Sequence, residues 1–180
     1  MNMSWCFHVV EVELLDGGEL ALTFRGTGAE VRKIELDSND IVVFEVTNMR
    51  NDFPRPTLFS VTEITTGKAS KAKAVATAAP DRETWVRKSG ARRITGLCIH
   101  QRGRRLFVGN ENSRKKVRLK FDLEVDTFPL TGDGGVWGVD PELVVKKKDK
   151  FTPNSCDDFR KAVKIWIKKE KIAAAKKSGK

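Results

Sequence analysis

Residues 114–126, RKKVRLKFDLEVD, set the frame in which the rest of the chain is read. Charged and apolar residues alternate with a period of two, which belongs to a strand and not to a helix. Rising ~3.3 Å per residue, such a strand puts Val117, Leu119, Phe121, Leu123 and Val125 on one side. Lys116, Arg118, Lys120, Asp122, Glu124 and Asp126 fall on the other. The wet side is basic through Lys120 and acidic from Asp122 onward. Two arrangements use that change of sign. The basic half can join a phosphate-facing surface that stops short of the acids. Alternatively, the strand can pair antiparallel with its own copy about Phe121, setting Lys116 against Asp126, Arg118 against Glu124 and Lys120 against Asp122. Each such pair contributes roughly 0.2–1 kcal/mol, and a two-fold interface requires this self-complementarity. A half-buried strand with a solvated outer face explains the alternation with no partner at all.

The same period recurs upstream. FHVVEVELL (7–15) and ELALTFR (19–25) flank Asp16-Gly17-Gly18, a strong hairpin signal. VRKIEL (31–36) is a short strand. IVVFEV (41–46) is β-branched and apolar on both faces, which predicts a central strand. Pro54 and Pro56 interrupt any ladder before LFSVTEI (58–64), because proline has no N–H to donate. TTGKASKAKAVATAAPD (65–81) shifts to Gly, Ala, Ser, Lys and Thr and reads as a linker or long loop. ITGLCIH (94–100), a turn at 101–104 and RLFVG (105–109) form a second hairpin, and LVV (143–145) adds a last strand.

Residues 155–177 change period. Ser155 and Asp158 make a variant of the capping box, and Phe159, Ala162, Val163 and Trp166 follow the 3, 4, 7 spacing of one helical face. Lys161, Lys164, Lys168 and Lys171 flank that face. The expected fold is mainly β: an antiparallel β-sandwich or barrel, as one sheet system or two small β modules, with a C-terminal amphipathic basic α-helix. The expected boundaries are an acidic β module at 1–66, a linker at 67–83, a basic β module at 84–150, and a basic helix and tail at 151–180.

Charge divides along the same lines. The formal net charge is +10. Residues 1–60 hold five Arg and Lys against ten Asp and Glu, whereas residues 146–180 hold thirteen against four. An acidic first third and a basic remainder point to a polyanionic partner for the latter. Three cysteines, at 6, 98 and 156, show no metal-type spacing. Their odd number and the lack of a signal-peptide pattern read as reduced thiols in an intracellular protein of the cytoplasm or nucleus, not a secreted one. No apolar run reaches the ~20 residues of a membrane span, and a membrane partner is not expected.

The basic segments are Arg87-Lys88 with Arg92-Arg93, then Arg102, Arg104 and Arg105, then Arg114, Lys115 and Lys116. Arginine predominates, and its planar fork suits phosphate. Trp85 is placed to stack on a base. His8 and His100 each lie inside an apolar strand and read as structural histidines. No Walker, Gly-x-Ser-x-Gly or HExxH pattern occurs, so no catalytic residue, metal site or cofactor is expected. The functional expectation is a non-enzymatic nucleic-acid-binding or ribonucleoprotein component that holds the phosphate backbone with those clusters. The alternative is a homo-oligomeric β-rich assembly protein, a shell or chaperone-like subunit, pairing through strand 116–126.

Overall fold

The computed structural model describes residues 5–16, 19–37, 39–47, 55–63, 74–76, 84–86, 97–110, 117–126, 136–139, 142–145 and 156–179. The chain is mainly β with one C-terminal helix. Strands β1 (Cys6–Leu14) and β2 (Leu20–Phe24) form the expected hairpin, with Val12 opposite Leu22. β3 (Lys33–Leu36) leaves for a second sheet, and β4 (Asp40–Val46) returns beside β1 in parallel. β4 is central, as its doubly apolar composition predicts, and every residue from Ile41 to Val46 is buried.

The first sheet continues from β4 to β9 (Arg105–Asn110), β8 (Leu97–Arg102) and β7 (Thr84–Val86), so its order is β2-β1-β4-β9-β8-β7. The second runs β3, β12 (Glu142–Val145), β10 (Val117–Asp126), β5 (Arg55–Glu63) and β6 (Ala74–Ala76), with β11 (Val136–Val139) also on β10. Several readings are refined here. Both sheets are mixed, because β1·β4 and β12·β3 are parallel pairs. The detour through the other sheet supplies the crossover that parallel neighbours need. Each sheet also takes strands from both halves of the chain, a pairing that the sequence reading left open. Finally, the segment read as a linker contains β6, and Pro56 lies within β5 opposite Val125, near the strand's start where a missing donor matters least.

One buried cluster joins the sheets, with Val10, Val12, Val42, Phe44 and Val46 of the first meeting Ile34, Leu36, Leu123 and Val125 of the second. The first sheet's other face is covered by α1 (Cys156–Ser178). Phe159, Ala162, Val163 and Ile167 of α1 bury themselves with Ile41, Val43 and Phe107. The helical face read from spacing is therefore the docking face. The half-buried Trp166 stacks on Phe7 at 5.5 Å and meets Phe107 edge-on at 5.6 Å.

β10 carries the alternating strip, and it is an interior strand. β5 pairs with it from Leu119 to Asp126, and β12 and β11 occupy its other edge. Ladder pairing with a second copy through Arg118, Lys120, Asp122, Glu124 and Asp126 has no open edge to use, and Lys116 lies outside the described residues. The buried Leu123 and Val125 bear out the apolar side of the alternation.

Candidate functional site

Two groups of side chains sit on opposite faces of the first sheet, at opposite ends of β4. The first is built from the β1–β4 register. Cys6 and His8, two apart on β1, share a side. Asp40, the first residue of β4, lies beside Cys6. All three are on the side that carries Val10 and Val12 into the inter-sheet core. One ligand-type atom from each of Cys6, His8 and Asp40 lies within 4.8 Å of the others. His8 Nε2 is 3.4 Å from Asp40 Oδ1. Although buried, that nitrogen makes no hydrogen bond. The Asp37 N–H donates to Asp40 Oδ2 at 2.8 Å, and Cys6 N–H donates to the Asn39 carbonyl at 2.9 Å, so the turn before β4 is tied to the start of β1. Cys6 is free and exposed.

This cluster overturns the expectation of a chain with no metal-type or catalytic constellation, and with it the non-enzymatic assignment. A thiol, an imidazole and a carboxylate positioned to chelate one ion are a feature typical of catalytic sites. His8 is not simply a core histidine. Sequence reasoning missed the group because Asp40 reaches Cys6 only through a parallel pairing between strands more than twenty residues apart. The Cys-x-His spacing was the available signal, since it forces both side chains onto one face. The thiol expectation also changes, because Cys98 is disulfide-bonded. An odd count of cysteines is compatible with one disulfide and one free thiol, so the count is no argument for a reducing compartment.

The second group lies under α1. β8 and β9 are joined by Gly103 and Arg104, with Arg102 opposite Arg105. Gly103 has φ 55°, a left-handed conformation that glycine adopts without strain. This tight turn gathers Arg102, Arg104 and Arg105 at one end of the sheet. They line a cleft of about 440 Å³ together with Glu45, Gly103, and Ile167 and Lys171 of α1. Arg105 is held in place: its Nη2 is 2.9 Å from Glu45 Oε1, and its guanidinium lies 5.2 Å from the centre of the Trp166 ring. Arg25 holds the other Glu45 oxygen and also donates to Glu11 at 3.1 Å. Burial pushes the Glu45 carboxyl up, but Arg105 and Arg25 outweigh it and hold the group below the usual carboxylate range. Burial opposes the charge on Arg25, yet Glu45 and Glu11 raise its affinity for its proton further.

Of the residues expected to hold phosphate, the fold thus brings Arg102, Arg104 and Arg105 together and adds Lys171. Arg87, Lys88, Arg92, Arg93, Arg114, Lys115 and Lys116 lie outside the described residues, and Trp85 is placed by its backbone on β7, the end strand of the first sheet. Among the described residues, no helix is long and apolar enough to cross a membrane. No protein-family model matches the chain, and no curated protein matches it either, so the side-chain chemistry carries the functional argument.

Proposed function

We propose that the protein binds a nucleic acid through its phosphate backbone, using the basic cleft between the β8–β9 turn and α1. One observation carries this reading: among the described residues, the cleft is lined by four cations, Arg102, Arg104, Arg105 and Lys171, against one acid, Glu45. That acid is already shared by Arg105 and Arg25. Clustered guanidiniums facing a concave surface favour a ligand with spaced negative charges and bidentate oxygens. Lys161, Lys164 and Lys168, exposed along α1, extend the field beyond the cleft. Such contacts position a backbone and carry little sequence information. The two sheets act in this reading as the layers of a β-sandwich that keeps the turn rigid under the helix. Titrating a fluorescent oligonucleotide at several salt concentrations tests it. Affinity falling steeply with salt is expected, and a flat response overturns the electrostatic mechanism.

A second reading, homo-oligomeric assembly, draws on α1. Ile165 and Ile172 are 57% and 48% exposed and stand one heptad apart. A second copy laid on this stripe would cover both, and β10 would take no part. Sedimentation of the protein and of Ile165→Glu tests it: a mass above the monomer that the substitution lowers supports assembly, and a monomer in both removes it.

A further inference from the structure

We propose that Cys6, His8 and Asp40 bind one divalent cation of the zinc class, at a site separate from the basic cleft. Asp40 and Glu45 are five residues apart on β4, roughly 16 Å at ~3.3 Å per residue, and their side chains leave opposite faces of the sheet. The strand register places all three donors on one side without further folding. In a tetrahedral zinc site, bonds of ~2.0 Å to nitrogen and oxygen and ~2.3 Å to sulfur put neighbouring ligands roughly 3.3–3.6 Å apart. His8 Nε2 and Asp40 Oδ1 stand at that separation, 3.4 Å. The thiol needs only a small side-chain rotation, since all three donor atoms fall within 4.8 Å. Two supporting contacts fit the role. His8 Nε2 is buried without a hydrogen bond, as a nitrogen reserved for a cation would be. Asp40 Oδ2 is occupied by the Asp37 N–H, which fixes the carboxylate and turns Oδ1 toward His8.

The donor set selects the metal. A thiolate with an imidazole and one carboxylate suits zinc or cobalt; calcium and magnesium prefer all-oxygen shells. Three protein ligands leave the fourth tetrahedral position to water or an exchangeable ligand, the arrangement of reactive zinc sites. The exposed Cys6 places that position within reach of solvent.

Cobalt titration of the full-length, chelator-treated protein under anaerobic conditions tests the site. One equivalent should give the visible bands of tetrahedral cobalt with a near-ultraviolet thiolate charge-transfer band, and zinc should displace both. Cys6→Ser should remove the charge-transfer band, and His8→Gln and Asp40→Asn should each weaken binding by about tenfold or more. Cys6→Ser changes an exposed residue at the first position of β1, so it remains informative if the other variants unfold. Arg102→Glu should leave the titration unchanged, which separates this site from the cleft. An absence of tetrahedral bands at millimolar cobalt, or bands that survive all three substitutions, overturns the proposal.

Discussion

Gly109 of β9 and Phe159 of α1 are in direct contact, so close that a Cβ on Gly109 would stand 2.6 Å from Phe159 Cδ2. Phe159 is itself 2% exposed, with no room to retreat. The glycine is the seat of the helix, and its missing side chain lets the aromatic ring lie flush on the sheet. Gly109→Ala should therefore destabilise the protein by about 1–3 kcal/mol through overpacking. Phe159→Ala should cost about 3–5 kcal/mol through the cavity it leaves. Combined, the two should cost less than their sum, because the alanine methyl then enters the space the ring vacates. Urea unfolding of the four proteins measures this, and strict additivity would separate the two residues.

Glu45 is 7% exposed and shared by Arg25 and Arg105. Its carboxyl is held below the usual range in the folded state. The unfolded chain therefore binds that proton more readily, and the linkage has a definite sign. The stabilisation is fully present above the unfolded value of ~4.3 and is lost as pH falls through the lower folded value. Glu45→Gln should cost about 1–3 kcal/mol near neutrality. That figure is at the low end for a broken buried pair because Arg25 and Arg105 are 36% and 26% exposed. Denaturation midpoints compared at about pH 7 and pH 3 should converge. A gap that does not change with pH would show that Glu45 contributes through packing alone.

β10 is hydrogen-bonded on both edges. Its edges are therefore taken up within the molecule, which leaves no ladder for a second copy to join. Arg118→Glu, alone or with Glu124→Lys, should leave the sedimentation mass unchanged. A mass lowered by the first and restored by the second would mean that β10 is exposed to a partner after all.

Local patterns were readable from the sequence where the physics is local. Period two identified β10, the apolar run identified β4 as central, Asp16-Gly17-Gly18 marked the first hairpin, and the 3, 4, 7 spacing found the docking face of α1. The parallel neighbours were not readable, because β4 joins β1 only after the chain has visited the other sheet. Short strands such as β7 and β11 hold three and four residues, too few to display a period. The site divides in the same way. The β8–β9 turn collects its arginines by sequence proximity, whereas Asp40 meets His8 by topology. One overlooked signal was Glu45 within IVVFEV, since an acid in a buried strand requires cationic partners. Arg25 and Arg105 are those partners.

Arg102, Arg104 and Arg105 line the cleft in different circumstances, and this makes their contributions separable. Arg105 is committed to Glu45 and Trp166. Arg105→Ala should therefore lower stability as well as binding, leaving Glu45 with Arg25. Arg102 is exposed and lies outside the buried core. Arg102→Ala should leave the urea midpoint within experimental error while weakening oligonucleotide binding. Each phosphate contact on duplex DNA contributes about −0.9 to the slope of log affinity against log salt, so this variant should make the slope shallower by about one. Lys171→Ala, on the opposite wall, should subtract about one more. The ordering follows from geometry: the exposed Arg102 carries salt dependence without stability, and Arg105 carries both. An unchanged slope in the Arg102→Ala, Lys171→Ala double variant would place the phosphate contacts elsewhere on the molecule.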